Sequence, residues 1–136
     1  MKDAFLRALR SFGRALPTLV PTLMLVSLLV VTIPRDLYTK IFTGGPLDPI
    51  IGAAIGSISA GNPANSYVIG GELLRAGVSL LAVTAFIVAW VTVGVVQIPA
   101  ESAILGRRFA LVRNALSFLM SIVVAAVTVL LLGVLP

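Results

Sequence analysis

The chain contains no cysteine and no histidine. That removes thiolate and imidazole metal ligands, disulfides, and the nucleophile–base pairs common among hydrolases. Acids are scarce as well: five Asp and Glu stand against ten Lys and Arg, for a net charge of +5. Charged residues make up 11% of the 136 positions, whereas a soluble domain typically carries about 25%. What fills the chain instead is apolar: 59% of residues are hydrophobic and the mean hydropathy is +1.12. This balance predicts an all-α integral membrane protein, one membrane domain over residues 1–136 with the lipid bilayer as its first partner. The basic residues cluster near predicted helix ends, where they set orientation and meet anionic lipid. No basic stripe carries interleaved aromatics, so nucleic acid is not an expected partner. Glu72 and Glu101 have no nucleophile or metal partner in the sequence, so neither an enzyme nor a cofactor or metal site is expected.

One short phrase occurs twice. Residues 62–70 read Asn-Pro-Ala-Asn-Ser-Tyr-Val-Ile-Gly, and residues 98–106 read Ile-Pro-Ala-Glu-Ser-Ala-Ile-Leu-Gly. Pro63/Pro99, Ala64/Ala100, Ser66/Ser102 and Gly70/Gly106 are identical, and Asn65 corresponds to Glu101. Each copy interrupts or ends an apolar stretch. Proline ends one helix by removing a donor and suits the first turn of the next.

Taken in order, residues 2–14 read as an interfacial amphipathic helix. Arg7, Arg10 and Arg14 recur at helical spacing opposite Phe5, Leu6, Leu9 and Phe12. A first span covers residues 15–33 and ends at Pro34, and Thr43-Gly44-Gly45-Pro46 is a turn. Asp48 and Pro49 look like the N-cap and first residue of a short helix. Gly52 and Gly56 within it form a GxxxG pair that permits close helix approach. That helix is too short to cross a bilayer as a straight rod at about 1.5 Å per residue. With the helix over 63–75 it makes a re-entrant or broken pair across residues 48–75. Residues 77–97 form the next span, with Trp90 packed inside it. A cytoplasmic connector covers 99–113, and a lipid-facing span covers 114–135. The expectation is therefore about three transmembrane helices, a re-entrant pair of short helices and an N-terminal amphipathic helix.

Charge weighs the two threadings of 48–75. With the amino terminus cytoplasmic, a hairpin places Lys2, Arg7, Arg10, Arg14, Arg107, Arg108 and Arg113 inside and Arg35, Lys40 and Arg75 outside, seven against three. A broken span gives five on each side. The positive-inside rule favours the hairpin, in a multi-pass protein of the cell membrane.

Polar groups at helix breaks are the candidate substrate-binding residues: Ser59, Asn62, Asn65 and Ser66 at the first copy, Gln97 and Glu101 at the second. Amides at the start of the 63–75 helix would suit an anion or a carbonyl, and carbonyls at the end of the preceding helix a cation. Asp48 has the simpler role of a cap, and Glu72 that of a partner for Arg75.

The order of features from Gly52 to Arg113 resembles half of the predicted permeases related to arsenical efflux permeases. A glycine-rich short helix (Gly52, Gly56) runs into Ser59-Ala60-Gly61-Asn62-Pro63. Gly77-Val78-Ser79 then opens a span, Pro99 makes a second break, and Leu105-Gly106 precedes a basic segment with Arg113. The resemblance implies a transporter of related bundles that binds substrate at its helix breaks, and a chain of half size implies pairing. Where that family's best-known members carry cysteines, this sequence has Gly61, Asn62, Asn65 and Ser66, so soft-metal transport is not carried over. The expected function is a small permease-like transporter working as a homodimer, with unknown substrate. A passive channel, and a scaffold whose GxxxG ridge binds a partner, are the alternatives.

Overall fold

The computed structural model describes residues 40–59 and 61–134, together with isolated positions between Leu6 and Thr32. The chain divides into two compact units, Met1–Ile33 and Pro34–Pro136. In the first unit the described positions, among them Leu6, Arg10, Val20, Met24, Leu25 and Leu28, are helical and exposed. The rest of the expected amphipathic helix and first span lies outside the described residues.

The described part of the second unit is helical, with no strand among the described residues. Its elements are α1 (Asp48–Ile58), α2 (Pro63–Arg75), α3 (Leu80–Thr92), a 3-10 turn (Val95–Gln97), α4 (Ile98–Leu105) and α5 (Arg107–Val134). Among the described residues, two stretches are long and apolar enough to cross a membrane, Leu80–Leu105 and Arg107–Gly133.

Both short helices, α1 and α2, pack on α3. The GxxxG pair explains how α1 does so. A methyl group on Gly52 would sit 2.3 Å from the carbonyl oxygen of Ala82, and one on Gly56 would sit 2.3 Å from that of Phe86. Backbone meets backbone, which only glycine permits. The facing side of α3 is built from small residues, with Ala82, Ala85 and Ala89 all at 0% exposure. The ridge is therefore occupied inside the chain by α3. α2 meets α3 through another glycine: a methyl on Gly70 would approach Ile87 Cδ1 to 2.8 Å. Ala125 of α5 completes a core with Ala53, Ala85, Ala89 and Val93.

Local signals account for most of the ends. Asn62 caps α2, its Oδ1 accepting the Ala64 N–H at 3.0 Å, with Pro63 next in the first turn. At the other end Gly77 adopts φ +93, and the Val78 N–H reaches back to the Leu73 carbonyl at 3.0 Å. Ser79 then caps α3 through the Ala82 N–H. Glu72 and Arg75 pair at 2.7 Å, one turn apart on α2.

Three expected boundaries change. Asp48 is not the N-cap of α1; Leu47 is, and Asp48 lies inside the first turn. The buried carboxylate of Asp48 accepts the N–H groups of Thr43 (3.1 Å) and Gly44 (2.8 Å), tying the preceding turn to the helix. The span expected over 77–97 is helical only from Leu80 to Thr92. It breaks at Val93, which is extended (φ −101, ψ 115), and at Gly94 (φ −112, ψ 69). The 99–113 segment is helical except at Gly106. Gly106, at φ +90, turns the chain in one residue from α4 into α5, so the last long helix starts at Arg107 instead of residue 114. A residue that tolerates positive φ replaces a loop.

Candidate functional site

The two interruptions meet. The first lies between α1 and α2 and the second between α3 and α4. Residues from both line one cavity of about 140 Å³: Ser57, Ser59 and Gly61 from the first, Trp90 and Val93 to Gln97 from the second. For scale, an apolar cavity of about 150 Å³ admits benzene.

The first interruption is largely satisfied by its own side chains. Ser57 donates its hydroxyl to the Ala54 carbonyl at 2.8 Å and Ser59 donates to Ile55 at 2.7 Å. Each oxygen keeps lone pairs for another donor. At the start of α2, Pro63 has no N–H, the Ala64 N–H goes to Asn62 Oδ1, and the Asn65 N–H goes to the Asn62 carbonyl at 2.9 Å. The opening turn of α2 is thus self-capped, and the expected free amides for an anion are taken up within the chain. Ser66 is fully buried and donates to the Pro63 carbonyl at 2.7 Å.

The second interruption is held from a distance. The Gly94 N–H, released from the helical ladder of α3, donates to the side-chain oxygen of Asn114 on α5 at 2.8 Å. Asn114 is buried, and its amide nitrogen donates to the Ala110 carbonyl at 2.9 Å and to Glu101 Oε2 at 3.2 Å. The other oxygen of Glu101 accepts from Arg113 at 2.6 Å. Glu101, in the first turn of α4, thus bridges α4 to α5. An N–H withheld from water and left without a partner costs up to about 1–3 kcal/mol; Gly94 is half-buried, and Asn114 supplies the acceptor its N–H loses at the extended step. The Gln97 side chain folds over Gly94, where a methyl would come within 2.8 Å of Gln97 Oε1.

Trp90 stands between the two interruptions. Its ring packs edge-on to Phe86 with centroids 5.4 Å apart, in keeping with a packing role. Its Nε1 is buried and has no acceptor among the described residues. The ring edge, at Cζ2, lies 3.5 Å from where a Gly61 methyl would stand.

Of the six residues singled out in the sequence, Ser59 and Gln97 line the shared cavity. Asn62 is a cap, and Asn65 has its amide nitrogen 3.8 Å from the methyl position of Gly61. Ser66 lies inside the helix packing, and Glu101 belongs to the Arg113–Asn114 cluster. Sequence reading missed Asn114, Gly94 and Trp90 as site-forming residues. The available signal was a lone asparagine at the edge of an otherwise aliphatic helix, where a polar group needs a partner. Among the described residues no group of acids forms a metal-binding cluster.

No protein-family model, no curated protein and no solved structure matches the chain.

Proposed function

We propose that the protein is a small multi-pass transporter of the cell membrane, with a cytoplasmic amino terminus, working as a homo-oligomer and passing its substrate at the paired helix interruptions. The observation that carries this reading is the shared cavity. Two interruptions that begin after Ile58 and after Thr92 open onto one space, with irregular backbone around it. Non-helical backbone at membrane depth is tolerated where it lines a cavity, and such places are where many transporters bind substrate.

The bilayer setting is supported by the surface of α5. Only 11% of its most apolar window is buried, and Leu116, Leu119, Met120, Leu130 and Leu131 are more than half exposed. A core helix of a soluble domain would hide that surface. At 28 residues and about 1.5 Å each, α5 exceeds the ~30 Å hydrocarbon core. The permease resemblance adds the expectation of helix breaks as substrate sites. In this reading Ser59, Gln97 and Trp90 contact substrate, Asn62 and Asn65 shape the α2 side, and Glu101 with Arg113 forms a gate next to the site.

The test is reconstitution in lipid vesicles, with flux measured for a panel of small neutral, anionic and cationic solutes, and oligomeric state by crosslinking and native mass measurement. A transporter gives saturable flux and counterflow for at least one solute. Correctly inserted protein that moves no solute, or that conducts without saturation, removes the reading.

A further inference from the structure

We propose that the groove between α3 and α5 is a binding site for one anionic phospholipid, its acyl chain along the groove and its phosphate at Arg113; the proposal rests on the membrane placement argued above, though not on transport. The groove has a volume of about 290 Å³ and is lined by Val88 and Thr92 of α3 and by Arg113, Leu116, Ser117, Met120, Ser121 and Val124 of α5. Its polarity runs in one direction. The one charged group, Arg113, lies at one end, whereas Val88, Met120 and Val124, interspersed with the hydroxyls of Ser117 and Ser121, line the rest. The hydroxyls of Thr92 and Ser121 spend their donors on carbonyls of their own helices at 2.7 Å, which leaves Arg113 as the one charged group of the groove.

That gradient is the gradient of a lipid. From Arg113 to Val124 is eleven residues, about 16 Å along the helix axis, which places the far end near the middle of a ~30 Å core if Arg113 lies at the interface. Arg113 belongs to the same end of α5 as Arg107 and Arg108, both exposed. One carboxylate, Glu101, offsets part of this charge: three arginines against one acid leave a net excess of two. Glu101 engages one terminal nitrogen of Arg113, and the side chain keeps 38% exposure, enough to meet a phosphate from the open side. Each basic residue near an anionic leaflet contributes roughly 1 kcal/mol, and this end has more than one to offer. A zwitterionic lipid would fill the groove equally well but would gain less from the excess charge.

The experiment uses the full-length protein, first shown by flotation to insert in vesicles, then released from nanodiscs containing equal phosphatidylglycerol and phosphatidylcholine. Native mass measurement counts the lipids retained. The expected result is one phosphatidylglycerol per chain, retained about tenfold over phosphatidylcholine, with the preference falling as salt rises. Met120→Trp, which fills the groove, is expected to abolish retention. The double variant Arg113→Gln/Glu101→Gln removes the charge while keeping an amide pair, and is expected to erase the preference. Arg107→Gln/Arg108→Gln is expected to leave the bound lipid in place with a preference reduced about threefold. Equal retention of both lipids overturns the proposal. So does retention that survives Met120→Trp but is lost in the Arg107/Arg108 variant, because the lipid then sits on the surface charge alone. A change in oligomeric order on Met120→Trp assigns the groove to a second copy instead. Failure to float removes the membrane reading itself, and loss of flux with the lipid still bound removes only transport.

Discussion

Asn114 on α5 accepts the backbone N–H of Gly94 at 2.8 Å, across twenty positions of sequence. The bond joins the last long helix to the interruption between α3 and α4. Because Asn114 also donates to Glu101 and to Ala110, one side chain serves three elements. Its removal tests whether the interruption is held by tertiary contacts. Asn114→Ala is expected to destabilise the folded protein by about 1–2 kcal/mol, the cost of a half-buried N–H left without its acceptor together with the lost bond to a carboxylate. Unfolding in a mixed-micelle denaturant titration measures it. A change below about 0.5 kcal/mol would mean that Gly94 finds another acceptor.

The glycine ridge makes a differential prediction. Gly52→Ala and Gly56→Ala place a methyl against backbone oxygen at 2.3 Å, where no rotamer can relieve the overlap. Each is expected to cost about 2 kcal/mol or more. Gly71→Ala on α2 meets nothing within 4 Å and is expected to be neutral or to stabilise by about 0.5–1 kcal/mol through helix propensity. Thermal or denaturant midpoints for the three variants decide the point; equal effects would contradict the close approach of α1 to α3.

The Glu101–Arg113 pair is partly screened, at 17% and 38% side-chain exposure. Its strength should lie between an exposed pair and a buried one, so Arg113→Ala is expected to cost about 1–3 kcal/mol. Glu101→Gln/Arg113→Ala should recover part of that loss, because it removes the negative charge left without its cation while Asn114 keeps an oxygen to bond. A double-mutant cycle with no coupling would show that the pair contributes nothing to the α4–α5 hairpin.

The turn before α1 depends on both oxygens of Asp48. Asp48→Asn keeps one acceptor and turns an amide nitrogen toward an N–H, a donor facing a donor. A loss of about 1–2 kcal/mol is expected, and Asp48→Ala should cost at least as much. Hydrogen exchange at Thr43 and Gly44 gives the local readout; both amides should exchange faster in both variants.

Orientation can be read by thiol labelling on the native cysteine-free background. Arg108→Cys is expected to react with an impermeant reagent only after the membrane is opened, and Thr43→Cys in intact cells. The reverse pattern would overturn the cytoplasmic placement of the amino terminus.

Much of the helical layout was legible. The helix over 63–75 is legible from Pro63; Asn62, singled out for substrate, is its cap, and Gly77, which reads as opening the next span, is its positive-φ stop, both acting within a few residues. The pairing of Glu72 with Arg75 and the packing of Trp90 follow from helical spacing in the same way. The end of α3 was not legible. Val93-Gly94-Val95-Val96 is apolar and reads as continuing helix, and the group that satisfies the Gly94 N–H is Asn114, far along the chain. The candidate site split for the same reason: Ser59 and Gln97 share a cavity, while Glu101 is drawn away by Arg113.

The sequence by itself determined an apolar, helix-forming chain without thiol or imidazole chemistry, with glycines spaced for a close helix contact and short helices punctuated by proline. Those properties reside in composition, in period and in neighbours a few residues apart. The tertiary structure alone decided that the glycine ridge is met by α3, that two interruptions open onto one cavity, and that an asparagine on α5 holds the second of them. Each depends on which helices lie side by side, and local propensity carries no information about a partner twenty or thirty residues away.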